Sequence, residues 1–154
     1  MSIAREIGDR RGEGTGLGSL GIIYQKLGET KRAIGFYEQW LVITREIGER
    51  RSESHALGNM GAAYAASGEI SRAIEFYKQW LTIAREIGDW RGEGIALWNM
   101  SLMLDELGQR SEAIAHAEAS LEIYEQIEHP SAAKVRKQLA EWRGQGNDSG
   151  IEGE

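Results

Sequence analysis

The feature that most constrains this chain is a gapless repetition of itself. Residues 11–50, "RGEGTGLGSLGIIYQKLGETKRAIGFYEQWLVITREIGER", align with residues 51–90 at 21 of 40 positions. Residues 91–130 align with the second block at 13 of 40. The opening "IAREIGDR" repeats the close of the second block, "IAREIGDW", so residues 1–10 read as the tail of a further unit. A period of this length means that each unit is one supersecondary element, which buries its apolar side only by stacking on its neighbours.

Each unit reads as two helices. Ala33, Ile34, Tyr37, Leu41, Ile43 and Ile47 are spaced along one helical face, and Ala73, Ile74, Tyr77, Leu81, Ile83 and Ile87 repeat it. Gly28, Gly68 and Gly108 punctuate the middle of the units, and Gly48 and Gly88 end two of them, with Glu128 at the same place in the third. Val, Ile and Thr do not alternate with polar residues over any long window, so the class is all-α. The stretch "GEGTGLGSLG" at 12–21 contains G-x-G-x-x-G at Gly16, Gly18 and Gly21. A dinucleotide site requires a strand before that motif, and here the upstream segment is helical by repetition. The counterparts "ALGNMG" and "ALWNMS" also lack the pattern. Gly21 and Gly61 instead predict close helix–helix approach. Gly12, Gly14, Gly16 and Gly18 read as a helix-propensity cost of up to about 1 kcal/mol each, which predicts that the first helix of unit 1 frays or starts late.

The pattern resembles the tetratricopeptide repeat. Unit 1 offers Leu17, Leu20-Gly21, Tyr24, Gly28, Ala33 and Tyr37, and unit 2 offers Leu57, Met60-Gly61, Tyr64, Gly68, Ala73 and Tyr77. Unit 3 offers Leu97, Met100-Ser101, Leu104, Gly108, Ala113 and Ala117. The family's last small residue is replaced by Trp40, Trp80 and Ser120. The resemblance implies a right-handed superhelix of antiparallel helix pairs, an α-solenoid of about seven to eight helices. The expected layout is a single repeat domain over 1–143: a partial unit 1–10, repeats 11–50, 51–90 and 91–130, and a C-terminal capping helix 131–143. In that helix, with Pro130 in its first turn, Ala133, Val135, Leu139 and Trp142 are expected to cover the last pair, with Lys134, Arg136 and Lys137 in water. The Gly-rich acidic residues 144–154 are expected to be a disordered tail. The half-helix at the start suggests a piece of a longer array or of a multidomain signalling protein.

The resemblance further implies that the first helices line a concave groove for peptide segments. Carried over position by position, the groove residues are Ser19, Ile22, His55, Asn59, Ala62, Trp98, Asn99 and Leu102. An Asn amide both donates and accepts, so Asn59 and Asn99 suit the backbone of an extended ligand. Trp98 stands where unit 2 has Gly58, and reads either as a binding anchor or as packing. The recurrence of Trp40 and Trp80 favours packing, and Trp90 is expected to lie half exposed at a turn. Some family members hold a terminal carboxylate with Lys and Arg. Here those places carry Gly18, Ile22, His55, Asn59, Ile95 and Asn99, so capture of a C-terminal carboxylate is not expected. Glu13, Glu53 and Glu93 recur ahead of each groove helix as an acidic rim, which would suit a basic-apolar partner. The Arg-Glu pairs of "REIG" are adjacent in sequence and read as surface residues.

Composition narrows the function further. The net charge is -6 and the pI near 5.2, opposite to the basic surface that nucleic acid or an anionic membrane attracts. No apolar run approaches the roughly 18 residues of a membrane span, and "SIAREIGDRR" is charged too early for a signal peptide. Without cysteine there is no disulfide or thiolate metal site, which fits a cytoplasmic protein. His55, His116 and His129 occupy unlike repeat positions, and no nucleophile–base arrangement is legible. The reading is therefore a scaffold without catalysis, cofactor or metal that binds a peptide segment of a protein partner. The alternative is a self-assembling structural module without a peptide ligand, forming a homo-oligomer through the incomplete N-terminal repeat.

Overall fold

The computed structural model describes residues 3–148. Among them are seven helices and no strand: α1 (Ile3–Lys26), α2 (Thr30–Ile47), α3 (Arg50–Ala66), α4 (Ile70–Ile87), α5 (Trp90–Glu106), α6 (Arg110–Gln126) and α7 (Ala132–Asp148). Helices adjacent in sequence pack on one another in three pairs, α1/α2, α3/α4 and α5/α6, and α7 closes the last. The turns follow the repeat. Gly48 and Gly88 lie at φ 70 beyond the ends of α2 and α4, where the Glu49 N–H donates to the Thr44 carbonyl at 3.0 Å and the Asp89 N–H to that of Ala84 at 2.9 Å. Such bonds satisfy carbonyls that the helix end leaves open. Glu128 holds the same position at φ 53 and is the one non-glycine residue with positive φ among the described residues.

The glycines of "GEGTGLGSLG" divide by environment. A Cβ on Gly21 would overlap the Tyr37 ring, one on Gly18 would lie 2.8 Å from Trp40, and one on Gly14 3.1 Å from Ile43. These three face α2 and allow bulky rings to lie against the α1 backbone. Gly12 and Gly16 face open space. The expectation that Gly14 and Gly18 are mere cost is therefore corrected: they are sites of close approach. The expected break between 1–10 and unit 1 is corrected as well. α1 runs through Gly8 without interruption, although Gly48 and Gly88 end their helices. The residues upstream of Arg10 whose burial is described are exposed, so tertiary packing does not favour a reversal at Gly8 and local helical hydrogen bonding prevails.

Packing repeats from pair to pair and then changes. Tyr37 and Tyr77 are buried beneath Gly21 and Gly61, and Trp80 lies against Gly58. In the third pair the sizes are exchanged: Trp98 holds the position of Gly58, and Ser120 that of Trp80. Both are buried, with the Ser120 hydroxyl donating to the Gly94 carbonyl at 2.8 Å. Such an exchange keeps total volume while moving bulk from one helix to its partner. α7 then covers this pair with Ala132, Val135, Leu139 and Trp142. Ala133 is exposed, one residue off the expected face, while Lys134, Arg136 and Lys137 are exposed as expected. Pro130 lies in the turn ahead of α7, and the helix continues to Asp148 rather than ending at residue 143. Residues 149–154 lie outside the described residues.

Candidate functional site

Four of the eight groove residues named from the sequence line one open cavity. His55, Asn59 and Ala62 come from α3 and Asn99 from α5, with a volume of about 300 Å³. The same lining includes Gly58 and Trp80. The Asn pair falls together because α3 and α5 are equivalent first helices one repeat apart, so the same register position recurs on neighbouring elements. Both Asn residues are partly exposed, and among the described residues neither side-chain amide has a protein hydrogen-bond partner. Two amides with open donors and acceptors, a half-buried indole and an exposed imidazole make a surface suited to a polar backbone carrying an apolar side chain.

The remaining named residues fall elsewhere. Ser19 and Ile22 are exposed on α1, and Leu102 is half-buried on α5. Trp98 is not a solvent-facing anchor: it is 7% exposed, and its ring lies 6.5 Å from that of Trp142 on α7. That corrects its place among the groove residues, because the capping helix takes the ring for the core. Trp80, whose recurrence with Trp40 favours packing, lies against Gly58 and also lines the cavity. Its recurrence with Trp40 signalled packing, and nothing in the repeat distinguishes a ring with one face left open. Trp90 is 54% exposed.

The acidic rim is internally paired. Glu53 is buried, with Arg45 at 3.2 Å and Arg50 at 3.0 Å. Arg50 also pairs with Glu86. Glu13 pairs with Arg10 at 2.8 Å, Arg10 pairs with Glu46, and Glu93 lies 3.0 Å from Arg85. The hydrogen bonds that Arg10 donates to Glu46 and Glu13 raise its pKa above the ordinary value, and those that Arg50 donates to Glu86 and Glu53 do the same for Arg50. The three rim carboxylates are thus paired with the chain's own arginines, which offsets the charge that the sequence suggested for a basic-apolar partner. The "REIG" residues are the other half of this network. Glu46 and Glu86 reach an arginine 36 residues upstream, and Arg45 and Arg85 reach a glutamate eight residues downstream. Forty residues on from Arg50 and Glu86, Trp90 and Gln126 replace both members of the 36-residue pair. That joint loss was the signal in the sequence that the two positions touch.

Nothing in the described residues forms a group of three or more metal-ligating side chains, and no helix is long and apolar enough to cross a membrane.

Comparison with known proteins follows the same architecture. The model of the tetratricopeptide repeat family matches residues 15–86 and 52–126. No curated protein sequence matches the chain. Among solved structures, the apo form of RapI is similar over 90% of this chain at 20% identity and a TM-score of 0.83, and the chain spans about half of RapI, 51% of its length. The tetratricopeptide domain of Arabidopsis FLU is similar over 76% of this chain and 98% of its own, at 18% identity and a TM-score of 0.72. The N-terminal domain of C. elegans stress-induced protein-1 is similar over 87% of this chain and 97% of its own, at 16% identity and a TM-score of 0.73. At these identities the likeness is one of fold, an all-α solenoid. With the family model matched across all three helix pairs, the chain belongs to the tetratricopeptide repeat family.

Proposed function

We propose that this chain is a non-catalytic scaffold that binds an extended segment of a partner protein along its first helices. The observation that carries the reading is the cavity in which Asn59, Asn99, His55 and Ala62 meet the Trp80 ring. The amides hold the peptide backbone, and the indole floor receives one apolar side chain. The paired rim glutamates contribute little attraction for a basic partner, so specificity rests on the cavity. The proposal includes a cytoplasmic location and no cofactor. The test compares proteins retained from host lysate by the chain and by its Asn59→Arg, Asn99→Arg variant, with helicity checked for both. Loss of a specific partner from the variant supports the reading, and identical retention refutes it.

A second reading is favoured by α1. Leu20 is 41% exposed and Ile23 52%, whereas their repeat equivalents Met60 and Ala63 are 2% and 0% exposed. This uncovered apolar face supports self-association through α1. A mass that rises with concentration, and falls back in a Leu20→Glu, Ile23→Glu variant, would favour assembly. A mass constant at the monomer value removes it.

A further inference from the structure

The first two helix pairs contain the same three-part contact. Tyr24 on α1 stacks on Phe36 of α2 at 5.2 Å and 9°, and the Arg32 guanidinium lies 5.0 Å from the Tyr24 ring centre. Tyr64 stacks on Phe76 at 5.2 Å and 5°, with Arg72 at 5.3 Å. Forty residues on, the three positions carry Leu104, His116 and Glu112. The ring, its stacking partner and the cation have all been replaced. Where the three stood there is an open cavity of about 380 Å³ between α4, α5 and α6.

Its floor is apolar, with Ile74, Met100 and Leu104, and Glu75, Glu112 and His116 stand on its walls. His116 keeps a flat aromatic surface, oriented by a 2.9 Å hydrogen bond between Nδ1 and the Glu112 carbonyl. Among the described residues neither the Glu75 nor the Glu112 carboxylate makes an ion pair. Among the described residues lining the cavity, Lys78 is the one lysine or arginine, against the Glu75 and Glu112 carboxylates. Compared with the first two pairs, the site lacks the tyrosine ring and the arginine of the contact, presents the His116 ring as a stacking surface, and carries more carboxylates than cations.

We propose that this cavity binds a partner peptide through a tyrosine or phenylalanine side chain adjacent to an arginine or lysine. The ring enters above Leu104 and Met100 and stacks on His116, and the cation pairs with Glu112 and Glu75. The partner supplies from outside what the first two pairs supply from within. This site is separate from the Asn59–Asn99 cavity and does not depend on it.

The probe is the blocked peptide acetyl-Ala-Tyr-Arg-Ala amide, titrated into the labelled chain while NMR follows the His116 ring and the Leu104 methyls. Saturable movement at millimolar peptide is expected, with affinity about tenfold weaker when Tyr is replaced by Ala or Arg by Glu, the scale of one ring or charge contact. A Leu104→Tyr, Glu112→Arg, His116→Phe variant rebuilds the internal contact. It is expected to unfold no earlier than the parent and to lose peptide-dependent shifts at the remaining cavity residues. Should that variant not fold, Glu112→Gln is expected to reduce the preference for Arg over Glu while leaving the dependence on Tyr. Absence of shifts, or equal shifts from all three peptides, overturns the proposal.

Discussion

Gly16 and Gly21 lie five residues apart in α1, and alanine at the two positions is expected to change stability with opposite sign. A Cβ at Gly16 meets nothing within 4 Å. Alanine there only lowers the backbone entropy lost on folding and adds helix propensity, a gain of up to about 1 kcal/mol. At Gly21 the same gain is set against an overlap with the Tyr37 ring. That ring is held by full burial and by a 2.7 Å hydrogen bond from its hydroxyl to Gln25 Oε1, so it has little room to move aside. Overpacking of this kind costs about 1–3 kcal/mol, which after that gain leaves a net loss of up to about 2 kcal/mol. For a domain of this size each kcal/mol moves the midpoint by about 2–4 °C. Thermal and urea unfolding followed by far-UV circular dichroism reads both variants, and an unchanged urea slope shows that the two-state comparison holds. If Gly21→Ala stabilises the chain as Gly16→Ala does, close approach of α1 and α2 is not the reason for that glycine, and the account of the motif fails.

Three further outcomes follow from particular contacts. Glu128→Gly relieves the positive φ at that turn and is expected to add about 1 kcal/mol, visible as a higher urea midpoint; an unchanged or lower midpoint contradicts the assignment of strain. Glu53→Ala removes a buried carboxylate bonded to Arg45 and Arg50 and is expected to cost about 1–3 kcal/mol, against less than about 1 kcal/mol for Glu13→Ala, whose carboxylate is largely exposed; equal losses would refute the distinction. Burial pushes the Tyr77 phenol up to about 12, so between about pH 10 and 12 the folded chain keeps a proton that the unfolded chain has released, and stability falls as pH rises. Tyr77→Phe is expected to flatten that alkaline decline partly, since burial raises Tyr37 and Tyr124 as well, and an unchanged slope would refute the burial argument.

Much of the candidate site was legible in repeat position. Asn59 and Asn99 share a register on equivalent helices, so periodicity puts them on the same face, while their place in a groove came from the family resemblance. The depth of a side chain was less legible. Trp98 and Trp80 are both tryptophans beside a groove, yet one is sealed by Trp142 while the other keeps an open face. The difference lies in α7, whose contact with α5 is invisible to a comparison among repeats. The pairing of the rim charge was illegible for a related reason. Ion pairs 36 residues apart obey neither the i+3 nor the i+4 rule within a helix, and arise because the two helices of a pair pack antiparallel, which brings the end of the second beside the first-helix residue that opens the repeat.

The sequence by itself determined the class, the helix pairs, their turns and the apolar faces, because these depend on local propensity and on a pattern stated three times. Only the tertiary structure decided which glycines admit a ring, which tryptophan is sealed, which carboxylates are neutralised, and where the loss of an internal contact opens a cavity. Those outcomes depend on which atoms occupy the space between helices distant in sequence, and short-range pattern does not carry that information.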